Sequence, residues 1–329
     1  MKEIDETIFK AIKNNDLSVV QKAVTQGANI NAQLEECEEH GNPGWTPLMA
    51  AAASNTVEIA KYLLDKGADL SPCNTKGSTV LMLACSRGRL ELVTMFLEKN
   101  ADVHAKDDDG YTALMAVCSG KTLDTDGTED DYLEITRLLI AQGVNVNETE
   151  NKGETALHKA TFFHFGACIE LLFQHGADLN IQSYDGSTPM MNAISDEEIP
   201  RCLQTVKLLV AEGADITLQD REYGHTALDI ACIFKNYEVI AFLRQVSKKQ
   251  RGCYIATVCY GSSDAPEVFI LQQYRDEKLS HFLFGKICIE LYYMFSPFLA
   301  RQLQYQPIVN HIIRRWLLNP IVTRVKKTC

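Results

Sequence analysis

The stretch Gly44-Trp-Thr-Pro-Leu-Met-Ala-Ala returns as Gly77-Ser-Thr-Val-Leu-Met-Leu-Ala, Gly110-Tyr-Thr-Ala-Leu-Met-Ala, Gly153-Glu-Thr-Ala-Leu-His-Lys-Ala, Gly186-Ser-Thr-Pro-Met-Met-Asn-Ala and Gly224-His-Thr-Ala-Leu-Asp-Ile-Ala. Three of the five intervals between the leading glycines are 33 residues; the others, 43 and 38, are the same period with insertions of ten and five. A second phrase keeps step with the first: Gly27-Ala-Asn, Gly67-Ala-Asp, Asn100-Ala-Asp, Gly143-Val-Asn, Gly176-Ala-Asp and Gly213-Ala-Asp. Each follows an apolar run such as Ile59-Ala-Lys-Tyr-Leu-Leu, so each unit holds two helical pieces. The Thr before the first piece caps its N-terminus, and Pro47 and Pro189 suit a first helical turn. The Gly after the second piece supplies a left-handed residue, for which Asn100 is the next most tolerant substitute.

The period and the phrase together resemble the ankyrin repeat over roughly the first three quarters of the chain. The resemblance implies an all-α solenoid of helix-turn-helix repeats with β-turn tips, followed here by a small helical C-terminal domain. Residues 4–31 read as a first repeat in which Asp5 and Glu6 replace the Gly-x-Thr start, and 222–246 as a shortened last one, making seven repeats in residues 1–247. Two short helices cannot bury an apolar stripe alone, so neighbours must cover it. Leu48, Leu81, Leu114, Leu157, Met190 and Leu228 recur at one position and are expected to form a continuous ladder.

Charge divides the chain. Residues 1–247 hold 20 Lys and Arg against 38 Asp and Glu, a balance of −18, whereas 248–329 carry +7. An acidic array without a positive stripe excludes a nucleic-acid groove in the repeats. Met1-Lys-Glu-Ile-Asp-Glu is acidic and lacks the apolar core of a secretory signal, so we expect a cytoplasmic chain, with export as an effector the alternative. Of eleven cysteines, Cys85, Cys118 and Cys232 occupy one helix position where Ala is usual, and read as reduced core thiols.

The repeats offer little chemistry. Asp124-Thr-Asp-Gly-Thr-Glu-Asp-Asp131 fails as a calcium loop: with Gly127 sixth, the loop would run from Thr122 to Leu133, and neither end is a carboxylate. It reads as a solvated loop, as does the acidic stretch Leu34–His40. His158 stands where the ankyrin phrase Thr-Pro-Leu-His places a structural histidine. No phosphate loop, His-Glu-x-x-His or Gly-x-Ser-x-Gly occurs, and no cofactor or metal is expected.

What stacking leaves free are the turn tips. By resemblance these line the groove that contacts partner proteins. Trp45, Tyr111, Tyr184 and Tyr223 are read as an aromatic row along one edge, with His225 and the acids Asp108, Asp109, Glu154 and Asp185 among them. Such a row suits a protein partner with apolar anchors in a basic surface. Phe162, Phe163 and Phe234 either join the groove or pack between repeats.

Residues 248–252, Lys-Lys-Gln-Arg-Gly, read as a basic link. Beyond it, Cys253-Tyr-Ile-Ala-Thr-Val-Cys-Tyr-Gly-Ser262, then Ala265-Pro-Glu-Val, Tyr274-Arg-Asp-Glu-Lys-Leu and Leu291-Tyr-Tyr-Met-Phe-Ser-Pro-Phe-Leu-Ala resemble the bacterial CFI-box C-terminal domain. Tyr254 replaces the usual Phe of its Cys-Phe-Ile-Ala-Thr start. The resemblance implies a bacterial source and a helical module, and carries no activity. Pro266 opens a helix to about Leu279, a second covers about Phe282 to Phe295, and Pro297 and Pro307 punctuate two shorter ones. None reaches the ~18 apolar residues of a spanning helix; Arg314, Arg315, Arg324, Lys326 and Lys327 leave contact with an anionic membrane surface open. Cys253 and Cys259 read as core thiols. A zinc site with His281 and Cys288 has spacings of six, 22 and seven that match no usual knuckle. A nucleophilic Cys253 served by His281 or His311 lacks anything that places base beside thiol.

Two functions follow as expectations. The first is a non-enzymatic scaffold whose C-terminal module serves targeting, oligomerisation or regulation, with its positive charge docking on the acidic repeats. The alternative is an enzyme or metal-binding module in 253–329 whose repeats select substrate. The ladder itself is testable: Leu114→Ala or Leu157→Ala should cost ~2–5 kcal/mol in a denaturant or thermal melt, and a Leu157→Ala melt identical to wild type would remove the assignment.

Overall fold

The computed structural model describes residues 3–34, 43–120, 127–194 and 199–250. Among them lie seven helix pairs: α1 (Glu3–Lys13) with α2 (Leu17–Thr25), α3 (Pro47–Ala53) with α4 (Val57–Asp65), α5 (Val80–Ser86) with α6 (Leu90–Glu98), α7 (Ala113–Ser119) with α8 (Glu129–Ala141), α9 (Ala156–Phe162) with α10 (Gly166–Gln174), α11 (Pro189–Ile194) with α12 (Ile199–Ala211), and α13 (Ala227–Ile233) with α14 (Tyr237–Gln250). The first helices pack side by side in chain order from α1 to α13, and α2, α4, α6, α8 and α10 form a second row. No strand occurs among the described residues, where Cys73 with Thr79 and Gln219 with Thr226 make isolated bridges. No described helix is long and apolar enough to cross a membrane.

The local signals act as their chemistry dictates. Thr46, Thr79, Thr112, Thr155, Thr188 and Thr226 each accept from the backbone N–H three residues on, satisfying a donor that the helix itself cannot. In the first repeat buried Asp5 accepts from the Asn29 N–H at 2.8 Å, tying α1 to the turn after α2. Leu48, Leu81, Leu114, Leu157 and Met190 are buried as the ladder requires. Leu228 departs from it and is half-buried.

The tips stack by backbone hydrogen bonds. Asp108 donates to the Lys76 carbonyl, Asn151 to Asp109, Tyr184 to Lys152 and Arg221 to Asp185, at 2.7–3.0 Å. Gly186 shows why the phrase begins with glycine. Its φ is +87°, and a Cβ there would lie 2.5 Å from the Arg221 nitrogen, inside the contact that carries the stack forward. Gly224 has φ +71° but nothing within 4 Å of a would-be Cβ.

Within the described residues the insertions lengthen helices. α8 and α12 each run 13 residues, against nine in α4, α6 and α10. Thr128 caps α8 and Asp131 returns the bond to the Thr128 N–H, so residues 128–131 of the expected solvated loop 124–131 are a helix start, while 124–126 lie outside the described residues. Buried Tyr132 donates its hydroxyl toward the Gly120 carbonyl at 2.9 Å, and its ring meets Phe165 at 5.5 Å. The expected acidic loop lies, apart from Leu34, outside the described residues. Leu34 pairs with Gly44 and Trp45 through N–H···O bonds of 2.8 and 2.9 Å.

Residues Met1–Ile240 form one compact unit and a second begins at Ala241, inside α14. α14 continues through Lys248, Lys249 and Gln250, so the first three residues of the expected link are helical; all three are good helix formers and no breaker precedes Gly252. The segment 253–329, with its CFI-box pattern, its helices and its Cys and His candidates, lies outside the described residues. In the repeats Cys85, Cys118, Cys168 and Cys202 are buried and form no disulfide. Cys232, expected beside them, is exposed.

The two glycines provide a controlled comparison. Ala at either position forces a left-handed residue, costing ~1–2 kcal/mol, whereas Gly186→Ala also drives a methyl into backbone. Its urea midpoint should fall clearly below that of Gly224→Ala; equal midpoints would show that tip stacking contributes nothing.

Candidate functional site

The tips divide the candidate residues into two groups. Trp45 and Tyr111 follow the tip glycine directly, beside the capping Thr, and are half-buried; Tyr184 and Tyr223 precede it and are 67% and 70% exposed. The expected single row is therefore corrected. A side chain one residue before the cap turns toward the helix row, while one at the turn itself projects from it. The last tip is also one residue longer: Ser183 N–H bonds to the Ser187 carbonyl, but Asp220 N–H bonds to His225. Tyr223 sits on that extra residue and stacks on the His225 ring at 5.3 Å, with His225 Nδ1 3.3 Å from Asp220 Oδ2.

Tyr111 and Glu154 are engaged within the array. Lys159 of α9 lies 4.8 Å above the Tyr111 ring and forms an ion pair with Glu154, whose other oxygen accepts from Asn192 of α11 at 2.8 Å. Burial pushes the Glu154 carboxyl up, but the hydrogen bonds from Lys159 and Asn192 and the Lys159 charge more than offset it, leaving it below the usual range. Lys159 is raised: burial opposes its charge, and Glu154 and Tyr111 overcome that. The sequence placed Glu154 at a tip but not the cation that neutralises it. A Lys five residues on, in the short helix that follows, was the available signal.

Asp108, Asp109 and Asp185 are exposed. Asp185 accepts from Ser183 and Ser187, which offset burial and hold it low. Trp45 Nε1 is buried without a hydrogen-bond partner among the described residues. Phe162 and Phe234 are 40% and 49% exposed, so neither is enclosed between repeats; Phe163 is half-buried against Phe162, ring centroids 5.0 Å apart. Ile233 and Tyr237, which sequence reasoning missed, are exposed as well.

His158 is fully buried and structural. Its Nδ1 accepts from the Thr155 N–H at 3.1 Å, which requires Nε2 to carry the proton it donates to the Ser187 carbonyl at 3.2 Å. That tautomer links the fifth repeat to the tip of the sixth. Burial, outweighing the Ser187 bond, holds the imidazole below its ordinary value, since protonating Nδ1 would oppose two donors.

Comparison with known proteins agrees with this architecture. A family model described as ankyrin repeats (3 copies) matches residues 8–107, 99–183, 127–220 and 168–251, and the chain belongs to that family. A putative ankyrin repeat protein, FPV031 of Fowlpox virus (strain NVSL), is 33% identical over 114 residues, a third of each chain. Human B-cell lymphoma 3 protein is 33% identical over 98 residues, 29% of this chain and 21% of that protein. The match to human BCL-6 corepressor-like protein 1, 36% over 87 residues, covers 26% of this chain and 5% of that one. The chain thus spans a third or less of these relatives. Among solved structures, the human ASB11 ankyrin repeat domain aligns with a TM-score of 0.54 at 22% identity, covering 68% of this chain and 90% of that one. The Bcl-3 ankyrin repeat domain aligns with a TM-score of 0.53 at 24%, covering 72% and 97%.

The His158 tautomer has a signed consequence. With a folded value below the ordinary 6.5, the neutral ring contributes stability that is complete above that pH and is lost as pH falls toward the folded value. Chemical denaturation midpoints should fall as pH drops below 6.5, and His158→Gln should flatten that part of the profile; an unchanged slope in the variant would assign the effect elsewhere.

Proposed function

We propose that this chain is a non-enzymatic scaffold that holds a protein partner against the tips and first helices of its repeats. The family consists of protein-interaction modules that are generally without catalytic activity. The observation that carries the reading is the exposure of Tyr184 and Tyr223 on tips whose backbones are fixed by stacking bonds. Large rigid rings on a rigid support bind with little entropic loss. Asp108, Asp109 and Asp185 add negative charge, which favours a partner with basic and apolar surface.

Residues 253–329 complete the proposal from their sequence. Their CFI-box pattern supports a bacterial, cytoplasmic protein whose C-terminal module targets, oligomerises or regulates, with export as an effector the alternative location. The opposed charges, −18 in 1–247 and +7 beyond, support docking of that module on the repeats, which short tethering would promote. Contact with anionic membranes rests on the same cations.

Affinity capture with the full-length chain, followed by competition with variants, tests the scaffold reading. Replacing both Tyr184 and Tyr223 by Ala should weaken capture tenfold or more, because buried anchors cost ~2 kcal/mol or more on truncation. The melt should shift by less than ~0.5 kcal/mol. Retained capture would place the contact elsewhere.

A further inference from the structure

Every large apolar side chain that is exposed among the described residues lies between positions 162 and 237: Phe162, Tyr184, Tyr223, Ile233, Phe234 and Tyr237. The described residues of the first four repeats present none. At the position of Phe162 and Ile233 the second to fourth repeats carry Ala53, Ser86 and Ser119, and at that of Phe234 they carry Ser54, Arg87 and Gly120, none of which offers an apolar anchor. Among the described residues the core is therefore periodic, whereas large exposed apolar side chains are confined to the last three repeats.

The six side chains come from three successive repeats. Phe162 ends α9, Ile233 ends α13 and Phe234 follows it; α11 packs between those two helices. Tyr184 and Tyr223 stand on the tips of the last two of these repeats. Packed helices lie 8–10 Å apart, so Phe162 and Phe234 are separated by roughly 20 Å. Across this stretch Lys159 is neutralised by Glu154 and covered against Tyr111. The remaining carboxylates, Asp185, Asp220, Glu222, Asp229 and Glu238, outnumber Lys152, Arg221 and Lys235.

We propose that repeats five to seven form the docking site, and that its occupant is a partner segment carrying apolar anchors among Lys and Arg. This rests on the scaffold reading and narrows it to one end of the array. A segment reaching from Phe162 to Phe234 needs about six residues if extended at 3.3 Å each, or about thirteen if helical at 1.5 Å. Burying apolar rings supplies affinity, and the acidic surround selects the sign of the flanking charge.

A displayed library of random 16-residue peptides, selected against the full-length chain, tests the proposal. Selected peptides should combine Lys or Arg with aromatic or aliphatic residues and weaken as salt rises. Phe234→Ser and Tyr184→Ala should each raise Kd tenfold or more, while Glu91→Ala, exposed on α6 of the third repeat, leaves it within twofold. Because Phe234 and Tyr184 are exposed, their variants should melt with wild type, which separates lost contact from lost fold. Peptides that depend on Asp109 and ignore Phe234 would keep the scaffold reading and overturn this one; a library yielding no binder would count against both. A photo-crosslinking residue at position 234 identifies the occupant. Crosslinks to the selected peptide support the proposal, and crosslinks persisting in its presence to a second copy or to residues 251–329 overturn it.

Discussion

A seven-residue helix followed by one of nine has too little surface to enclose anything, and the whole array depends on this deficit. The apolar side of each pair is covered by the next pair. Leu114 and Leu157 are buried within the stack. The requirement reaches the backbone, where each tip N–H is satisfied by the carbonyl of the tip before it. Glycine at the head of the phrase follows from that bond, because a side chain there would occupy the space of the next nitrogen. Stability is thus a property of interfaces between units.

Function in such an array has to be found in what the interfaces leave over. The repeat phrase groups aromatics on either side of the tip glycine, but the tips separate them. Trp45 and Tyr111 stand beside the cap and are drawn toward the helices, whereas Tyr184 and Tyr223 stand on the turn. Glu154 shares the position of Trp45 and Tyr111 and is likewise committed, to Lys159 and Asn192.

Much of the fold was legible because its signals are local and repeated. Threonine caps, left-handed glycines and the leucine position each act within a few residues. What escaped the sequence depends on contacts across repeats. The acidic insert looked like a loop because charge dominated its reading; Tyr132 could bury itself there because glycines at 88 and 120 leave room for its ring. Cys232 matched the buried cysteines in register but sits in the seventh repeat, where Leu228 too is less covered. Of the exposed cluster, Phe162, Tyr184, Tyr223 and Phe234 were legible as candidates, whereas Ile233 and Tyr237 were not, because apolar residues at helix positions read as core.

The buried cysteines carry a further consequence. Cys85, Cys118, Cys168 and Cys202 fall one to a repeat from the third to the sixth, and burial pushes the thiols of Cys85 and Cys118 upward, away from the reactive thiolate. A soluble alkylating reagent can reach such sulfurs only when adjacent units part. The order in which the four become labelled is therefore a chronology of where the solenoid breathes, written by the protein without any added probe.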